Sequence, residues 1–313
     1  MPRRWTLILR DRADAARPVR PEDCHGLLNR WWPQTRAEHT SAKRWVMNGW
    51  PTPLGDRLYL WTLTWLDDDP APVDPGELVG RVHRVGDHRF ELLSVTRTFD
   101  TPYTALLAPG RRSVAVRAAE VRTGTPVVTT TRDTTGERVP HVWPDPRRLF
   151  GAVHRSGGGI VGGSGAVGAV ARFAPPALVG PWLENALAVL GRVRRSALPG
   201  EEVALAEHPH TEGHTVRGWQ GGLRLDLVDG GPGEAGTFAA LLELLELAGV
   251  GKHTARGFGA VRVDTVTRIP VTARVPAPRP VPRTAHRVRH VRPGPVDAHA
   301  VAEAEEFGGT LFD

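Results

Sequence analysis

Hydrophobic and polar positions alternate from Arg4 to Arg10. Trp5, Leu7 and Leu9 fall on one side, Thr6, Ile8 and Arg10 on the other, the two-residue period of a strand. Cys24, Leu27, Leu28 and Trp31 then recur at i, i+3, i+4 and i+7, which predicts an amphipathic helix over 21–32. Pro21 suits its first turn and Pro33 ends it. Arg44–Trp50 and Arg57–Leu66 are two β-prone runs joined by a Pro51-Thr-Pro-Leu-Gly-Asp turn. Leu78, Val82 and Val85 place a short helix over 74–85, and Arg89–Phe99 is a fourth strand. The resulting order, βαββαβ, is the ferredoxin-like unit. Tyr59, Trp61 and Trp65 share one face of their strand and Leu58, Leu60 and Leu66 the other, so this strand is expected to be buried on both sides, including against a second domain.

The same order returns further along. Ser113–Arg132 is extended, with an irregular middle at Gly124-Thr-Pro. Asp145 is a helix cap with Pro146 after it, opening a helix to about Arg155. A glycine-rich stretch and a helix near 181–195 follow, then strands at Val203–Glu207 and Val216–Val228. Thr237–Ala248, with Phe238, Leu241, Leu242 and Leu245 on one face, is the clearest helix, stopped by Gly249; Phe258–Val266 is the last strand. The predicted fold class is α+β: two tandem ferredoxin-like (RRM-like) domains at 1–105 and 106–268. A tail, 269–313, is rich in Pro and Arg, acidic at its end, and expected to be disordered.

Composition narrows this little. Lys plus Arg is 40 and Asp plus Glu 34 in 313 residues, a formal charge of +6. The pI of about 10.5 is compatible with a nucleic-acid partner and equally with an ordinary basic enzyme. The single cysteine, Cys24, excludes a disulfide framework and a Cys-rich zinc site. The N-terminal apolar run is too short for a signal peptide and no run is long enough to span a membrane, so a cytoplasmic protein is expected.

The densest chemistry lies in Gly249-Val-Gly-Lys-His-Thr-Ala-Arg-Gly-Phe-Gly259, between the clearest helix and the last strand. Gly249, Gly251, Gly257 and Gly259 let a ligand approach the backbone, and Lys252, His253 and Arg256 add positive charge, a combination suited to phosphate through free N–H groups. It is not a nucleotide P-loop: His253 stands where Ser or Thr belongs, and Glu246 where the first Gly belongs. Gly157–Gly162 and Gly163–Gly168 both match G-x-G-x-x-G, but a helix rather than a strand is expected before them, which argues against a dinucleotide site. His208, His210 and His214 read as a hairpin loop rather than a metal cluster. His39 sits between the first helix and second strand, with Arg36, Lys43 and Arg44 around it, where a histidine can move a proton beside phosphate. Trp31 reads as core; Trp32, Trp45 and Trp50 are candidates for stacking on bases.

These residues together resemble the RAMP superfamily of CRISPR-associated proteins, and within it the precursor-RNA processing endoribonucleases of protein family six. The terminal glycine loop carries most of the resemblance. Pro144–His154, Gly218-Trp-Gln-Gly221, His25-Gly-Leu-Leu and Ala37-Glu-His-Thr add to it, over about residues 1–266. The resemblance implies metal-independent cleavage of CRISPR repeat RNA without a cofactor: the 2′-hydroxyl attacks the adjacent phosphate, leaving a 2′,3′-cyclic phosphate and a 5′-hydroxyl. His39 matches the family's catalytic histidine and Lys43 the lysine that often follows. The loop, with Arg44, would hold RNA. Some members add a tyrosine from the first helix, where this chain offers only Trp31 and Trp32. Other CRISPR effector subunits are possible partners. The alternatives are a non-catalytic RAMP subunit that binds RNA and a dinucleotide-dependent enzyme.

Overall fold

The chain folds around two antiparallel sheets, one of six strands and one of four. A computed structural model describes residues 1–13, 18–34, 43–108, 114–132, 138–140, 145–154, 160–162, 165–201, 203–211 and 214–270. Met1–Ala273 forms one compact unit. Of the tail expected to be disordered, 269–313, Ile269 and Pro270 instead pair with Ala115 and Val114 in the last strand, and 271–313 lies outside the described residues.

In the first half, β1 (Arg3–Asp11) is the central strand, flanked by β4 (Leu58–Trp65) and β6 (His88–Asp100). β2 (Trp45–Met47) and the short β3 (Thr52–Gly55) pair with β4, and β5 (Val82–Val85) pairs with β6, giving the order β2-β4-β1-β6-β5. Helix α1 (Pro21–Trp31) crosses between β1 and β2 and buries Cys24, Leu27, Leu28 and Trp31 on the sheet. Its Pro at the first position and Glu22 and Asp23 in the first turn suit the positive end of a helix. The core beneath is rich in tryptophan: Trp5, Trp32, Trp45, Trp61 and Trp65 sit with Leu7, Leu9, Leu63, Phe90 and Leu92. Trp32 and Trp45 are fully buried, so neither stacks on a base; among the three candidates only Trp50 reaches the surface.

The helix expected over 74–85 is absent. Pro75–Leu78 makes one 3₁₀ turn capped by Asp74, and Val82–Val85 is a strand turning through Gly86 and Asp87 into β6. The spacing of Leu78, Val82 and Val85 misleads because Val82 faces solvent; β-branched residues beside a Gly-Asp turn favour a hairpin.

The one-turn α2 (Tyr103–Leu106) leads to the second half, which centres on β7 (Val114–Thr123). After it come the hairpin β8 (Thr130–Arg132) and β9 (Arg138–Pro140), the one-turn α3 (Pro146–Leu149), and the hairpin β10 (Ala152–His154) and β11 (Ile160–Gly162). Asp145 caps α3 as expected, accepting from the Arg148 amide, but the helix stops at Gly151, whose φ is +77°, rather than near Arg155. Helices α4 (Ala166–Phe173) and α5 (Pro176–Arg192) follow, then β12 (Val193–Ala197) where a helix end was expected. The expected 203–207 strand is the longer β13 (Ala204–Thr211), and Val216–Val228 divides at Gly221 into β14 (His214–Gln220) and β15 (Gly222–Leu227). Helix α6 (Pro232–Ala248) and β16 (Val261–Pro270) close the chain. The sheet order is β12-β15-β7-β16, and β13 and β14 form a separate hairpin, as read for the histidine-rich segment.

The halves share a third cluster: Val46 and Leu66 from the first, Ala169, Leu247 and Ala248 from the second. The expected burial of β4 on both faces holds at this end. Thr64, on the face opposite Trp61 and Trp65, is fully buried and donates to Asn48 Oδ1 at 2.6 Å. Asn48 Nδ2 donates in turn to the Glu246 and Leu247 carbonyls at the end of α6, at 2.9 and 3.3 Å. The end of α6, from which the glycine loop departs, is thereby tied to the first sheet.

Candidate functional site

The loop Gly249–Gly259 joins α6 to β16 and is held at nearly every residue. Val250 N donates to the Gly259 carbonyl, Gly259 N to Pro126 and Lys252 N to Val128, each at 2.8 Å. Thr125, buried, donates to the Gly257 carbonyl at 2.7 Å and accepts from Ala260 N at 3.0 Å. Thr254–Arg256 forms a 3₁₀ turn between two left-handed residues, His253 and Gly257. Two glycines are dictated by this path. At Gly259 (φ +69°) a Cβ would collide with the Val250 carbonyl, and at Gly257 (φ +83°) it would lie 2.5 Å from the Trp50 ring.

This geometry corrects one expectation. The amides of Gly249, Val250, Lys252, Arg256, Gly257, Phe258 and Gly259 donate to carbonyls of the protein, so the loop is no run of free N–H groups. What it offers a phosphate is side-chain charge: Lys252 and His253 are exposed and Arg256 half-buried.

The loop packs against the first half at two places. Trp50 Nε1 donates to the Arg256 carbonyl at 2.9 Å, and the Trp50 ring lies 4.2 Å from His208 of the β13 strand and 5.4 Å from Phe258. Beside it the Ala255 carbonyl lies 3.0 Å from His25 Nδ1, and His25 Nε2 lies 2.9 Å from Lys43 Nζ. Lys43 Nζ stands 4.9 Å over the Trp45 ring. Burial, helped by the nearby Arg256 charge, pulls the Lys43 ammonium down to about 8. An amine in this state is a compact cation that gives up its proton close to neutrality.

The structure thus brings Lys43 and Arg256 together, with His253 and Phe258 on the same loop. Arg44, expected to contact RNA, forms an ion pair with Asp67 at 3.3 Å. His39 lies outside the described residues, in the stretch 35–42 that ends just before Lys43. Sequence reasoning does not single out His25. The available signal is its place on α1, next to Cys24 at the border of the apolar stripe, where a polar side chain can reach the edge of the covered sheet. Other histidines have structural partners: buried His88 bonds Asp11 at 2.7 Å, and His83 packs edge-on against Trp31 at 5.0 Å. Cys24 is buried, which pushes its thiol up and keeps it inert. The glycine-rich matches at 157–168 lie around the β10–β11 hairpin and the start of α4; residues 155–159 and 163–164 fall outside the described residues. Among the described residues no helix is long and apolar enough to cross a membrane.

This fold is the fold of the Cas6 proteins. In particular, the chain is similar to a Cas6 of Thermus thermophilus (TTHB231) solved as a product complex, with a TM-score of 0.62 at 20% identity over 84% of this chain and 100% of that one. It is similar also to the Cas6 TTHA0078, solved as a product complex (TM-score 0.60, 18% identity, 84% and 99% covered) and as a substrate mimic complex (TM-score 0.56, 17% identity, 84% and 99% covered). No family model and no curated protein matches the chain.

Proposed function

We propose that the protein is a metal-independent endoribonuclease that cuts CRISPR repeat RNA in precursor transcripts, built from two tandem ferredoxin-like domains, 1–105 and 106–268. The strand orders support the architecture. Counting only β1, β2, β4 and β6 in the first half and β7, β12, β15 and β16 in the second, both sheets run second-third-first-fourth, with α1 and α4–α5 as first crossovers and α6 as the second crossover of the second half. In the first half a 3₁₀ turn and hairpin stand in place of that second helix.

One observation supports the function above the others: the cation-bearing loop of the second half reaches Lys43 of the first through His25, with the Arg256 charge close enough to act on the ammonium. Cleavage needs the 2′-oxygen in line with the scissile P–O5′ bond, a base for its proton, charge stabilisation on the phosphorane, and a proton for the departing 5′-oxygen. Lys43 supplies a desolvated cation for the phosphorane. His39, from the stretch just before Lys43, serves as general base or acid. Lys252, His253 and Arg256 engage the backbone on either side of the cut, and the glycines hold the loop in shape. Arg44 reaches RNA only by exchanging its Asp67 partner.

The test is incubation with repeat RNA in EDTA, beside His39→Ala. The expected result is one cut ending in a cyclic phosphate, slowed about 10²–10⁴-fold in the variant with binding retained. Binding without cleavage by either protein would favour an RNA-binding effector subunit. No binding would refute both readings.

A further inference from the structure

With Lys43 as its ammonium, the hydrogen-bond chain Ala255–His25–Lys43 permits only one arrangement of protons. A backbone carbonyl accepts and cannot donate, so His25 Nδ1, 3.0 Å from the Ala255 oxygen, must carry hydrogen. An ammonium donates and cannot accept, so His25 Nε2, 2.9 Å from Lys43 Nζ, must hold a lone pair. The ring is then neutral and fixed as the Nδ1–H tautomer, the reverse of the form free imidazole side chains favour in water.

We propose that the glycine loop has a second role beyond RNA contact: through the Ala255 carbonyl it fixes the tautomer of His25, and His25 in turn holds Lys43 at the scissile phosphate. This rests on the ribonuclease reading above. His25 is a positioning residue, since it acts through Lys43.

The surroundings suit that role. The Ala255 carbonyl belongs to a turn clamped at the two residues that follow it, by Trp50 Nε1 on the Arg256 carbonyl at 2.9 Å and by Thr125 on the Gly257 carbonyl at 2.7 Å. His25 rises from a helix whose neighbouring Cys24 is fully buried, and its ring lies 5.2 Å from the Trp45 ring, the same ring that Lys43 covers. Both ends of the chain are therefore fixed by packing, and the imidazole bridges them. Arg256, which faces Lys43 from the loop, lowers the ammonium's affinity for its proton, as does burial. A loop that only bound RNA would govern affinity. A loop that also set His25 would govern the rate of the bound complex.

Two measurements test this. The first is ¹⁵N NMR of the histidine-labelled full chain without RNA, with the His25 signals among thirteen histidines identified by their loss in His25→Gln. The second is single-turnover cleavage at saturating protein, with RNA affinity measured in parallel. The expected tautomer is Nδ1–H. His25→Ala should lose about 10–100-fold in single-turnover rate, the scale for residues that orient a working group, with affinity within about threefold. His25→Gln should recover part of that loss, because its amide offers a donor and an acceptor side by side as the imidazole does. An Nε2–H tautomer, or an unchanged rate in His25→Ala, or a loss confined to affinity, would overturn the proposal. A wild-type protein that binds RNA without cutting it would overturn the ribonuclease reading instead. The tautomer then still decides the hydrogen-bond chain, Nδ1–H supporting it and Nε2–H overturning it.

Discussion

Replacing Asn48 by alanine removes three hydrogen bonds at the junction of the halves: those to the Glu246 and Leu247 carbonyls and the one it accepts from Thr64. A typical net hydrogen bond is worth about 1 kcal/mol, and a buried group left without its partner costs about 1–3 kcal/mol. Thr64 is fully buried, so its hydroxyl bears that second cost. The contact to Leu247, at 3.3 Å, adds little. We therefore expect Asn48→Ala to destabilise the protein by about 2–4 kcal/mol. Thr64→Val, which keeps the shape and leaves only the half-buried Asn48 oxygen short of a donor, should cost about 1 kcal/mol. The double variant no longer orphans the Thr64 hydroxyl, so the two losses should fall short of adding by about 1–2 kcal/mol. Urea unfolding followed by tryptophan fluorescence reads all three, given ten tryptophans of which Trp5, Trp32, Trp45, Trp61 and Trp219 are fully buried. A loss under about 0.5 kcal/mol in Asn48→Ala, or strict additivity in the double variant, would show that this triad does not hold α6 to the first sheet.

Three more outcomes are expected. The Lys43 value of about 8 lies below the 10.5 of an unfolded chain, so between those pH values the unfolded state holds a proton the folded state has released. Stability from this group rises with pH over that window, and Lys43→Met should flatten the rise in urea midpoints; an unchanged slope would place Lys43 in water. Lys252→Ala with Arg256→Ala should reduce the slope of log binding constant against log salt by about 0.7 for each lost phosphate contact on single-stranded RNA, and an equal slope would mean that these side chains do not touch phosphate. Gly257→Ala sets a Cβ at φ +83° and 2.5 Å from the Trp50 ring. It should cost at least about 1–2 kcal/mol in thermal unfolding, and a neutral effect would mean that the turn is free to move.

Elements that bury one clear stripe were legible in the sequence. α1 buries all four residues of its predicted face, and α6 buries Phe238, Leu241, Leu242 and Leu245 as read. The errors fell where one spacing serves two structures. Leu78, Val82 and Val85 fit a helical face, yet pairing with β6 chose a strand. α4 escaped notice because its buried residues are Ala166, Val167, Gly168, Ala169 and Val170, small side chains that look like a glycine-rich linker until a neighbouring helix packs on them. α5 begins five residues before Pro181, which lies inside it although proline usually marks a first turn. In the site, the loop was visible from composition alone. Its spent amides were not: those of Lys252 and Gly259 donate to Val128 and Pro126, more than a hundred residues away, and the others close on carbonyls of the loop itself or of the preceding helix. His25 was hidden for the same reason: its partner Ala255 is 230 positions along the chain.

That separation has a consequence for timing. A ribosome adding roughly 5–20 residues per second needs about 10–50 seconds to pass from His25 to Ala255. Throughout that interval the nascent first half can assemble its sheet and its tryptophan core, but Lys43 has neither Arg256 beside it nor a fixed imidazole behind it. Under the function proposed above, the growing chain stays harmless to the RNA around it, including its own message. Activity arrives in a single late step, when the loop emerges and closes on α1.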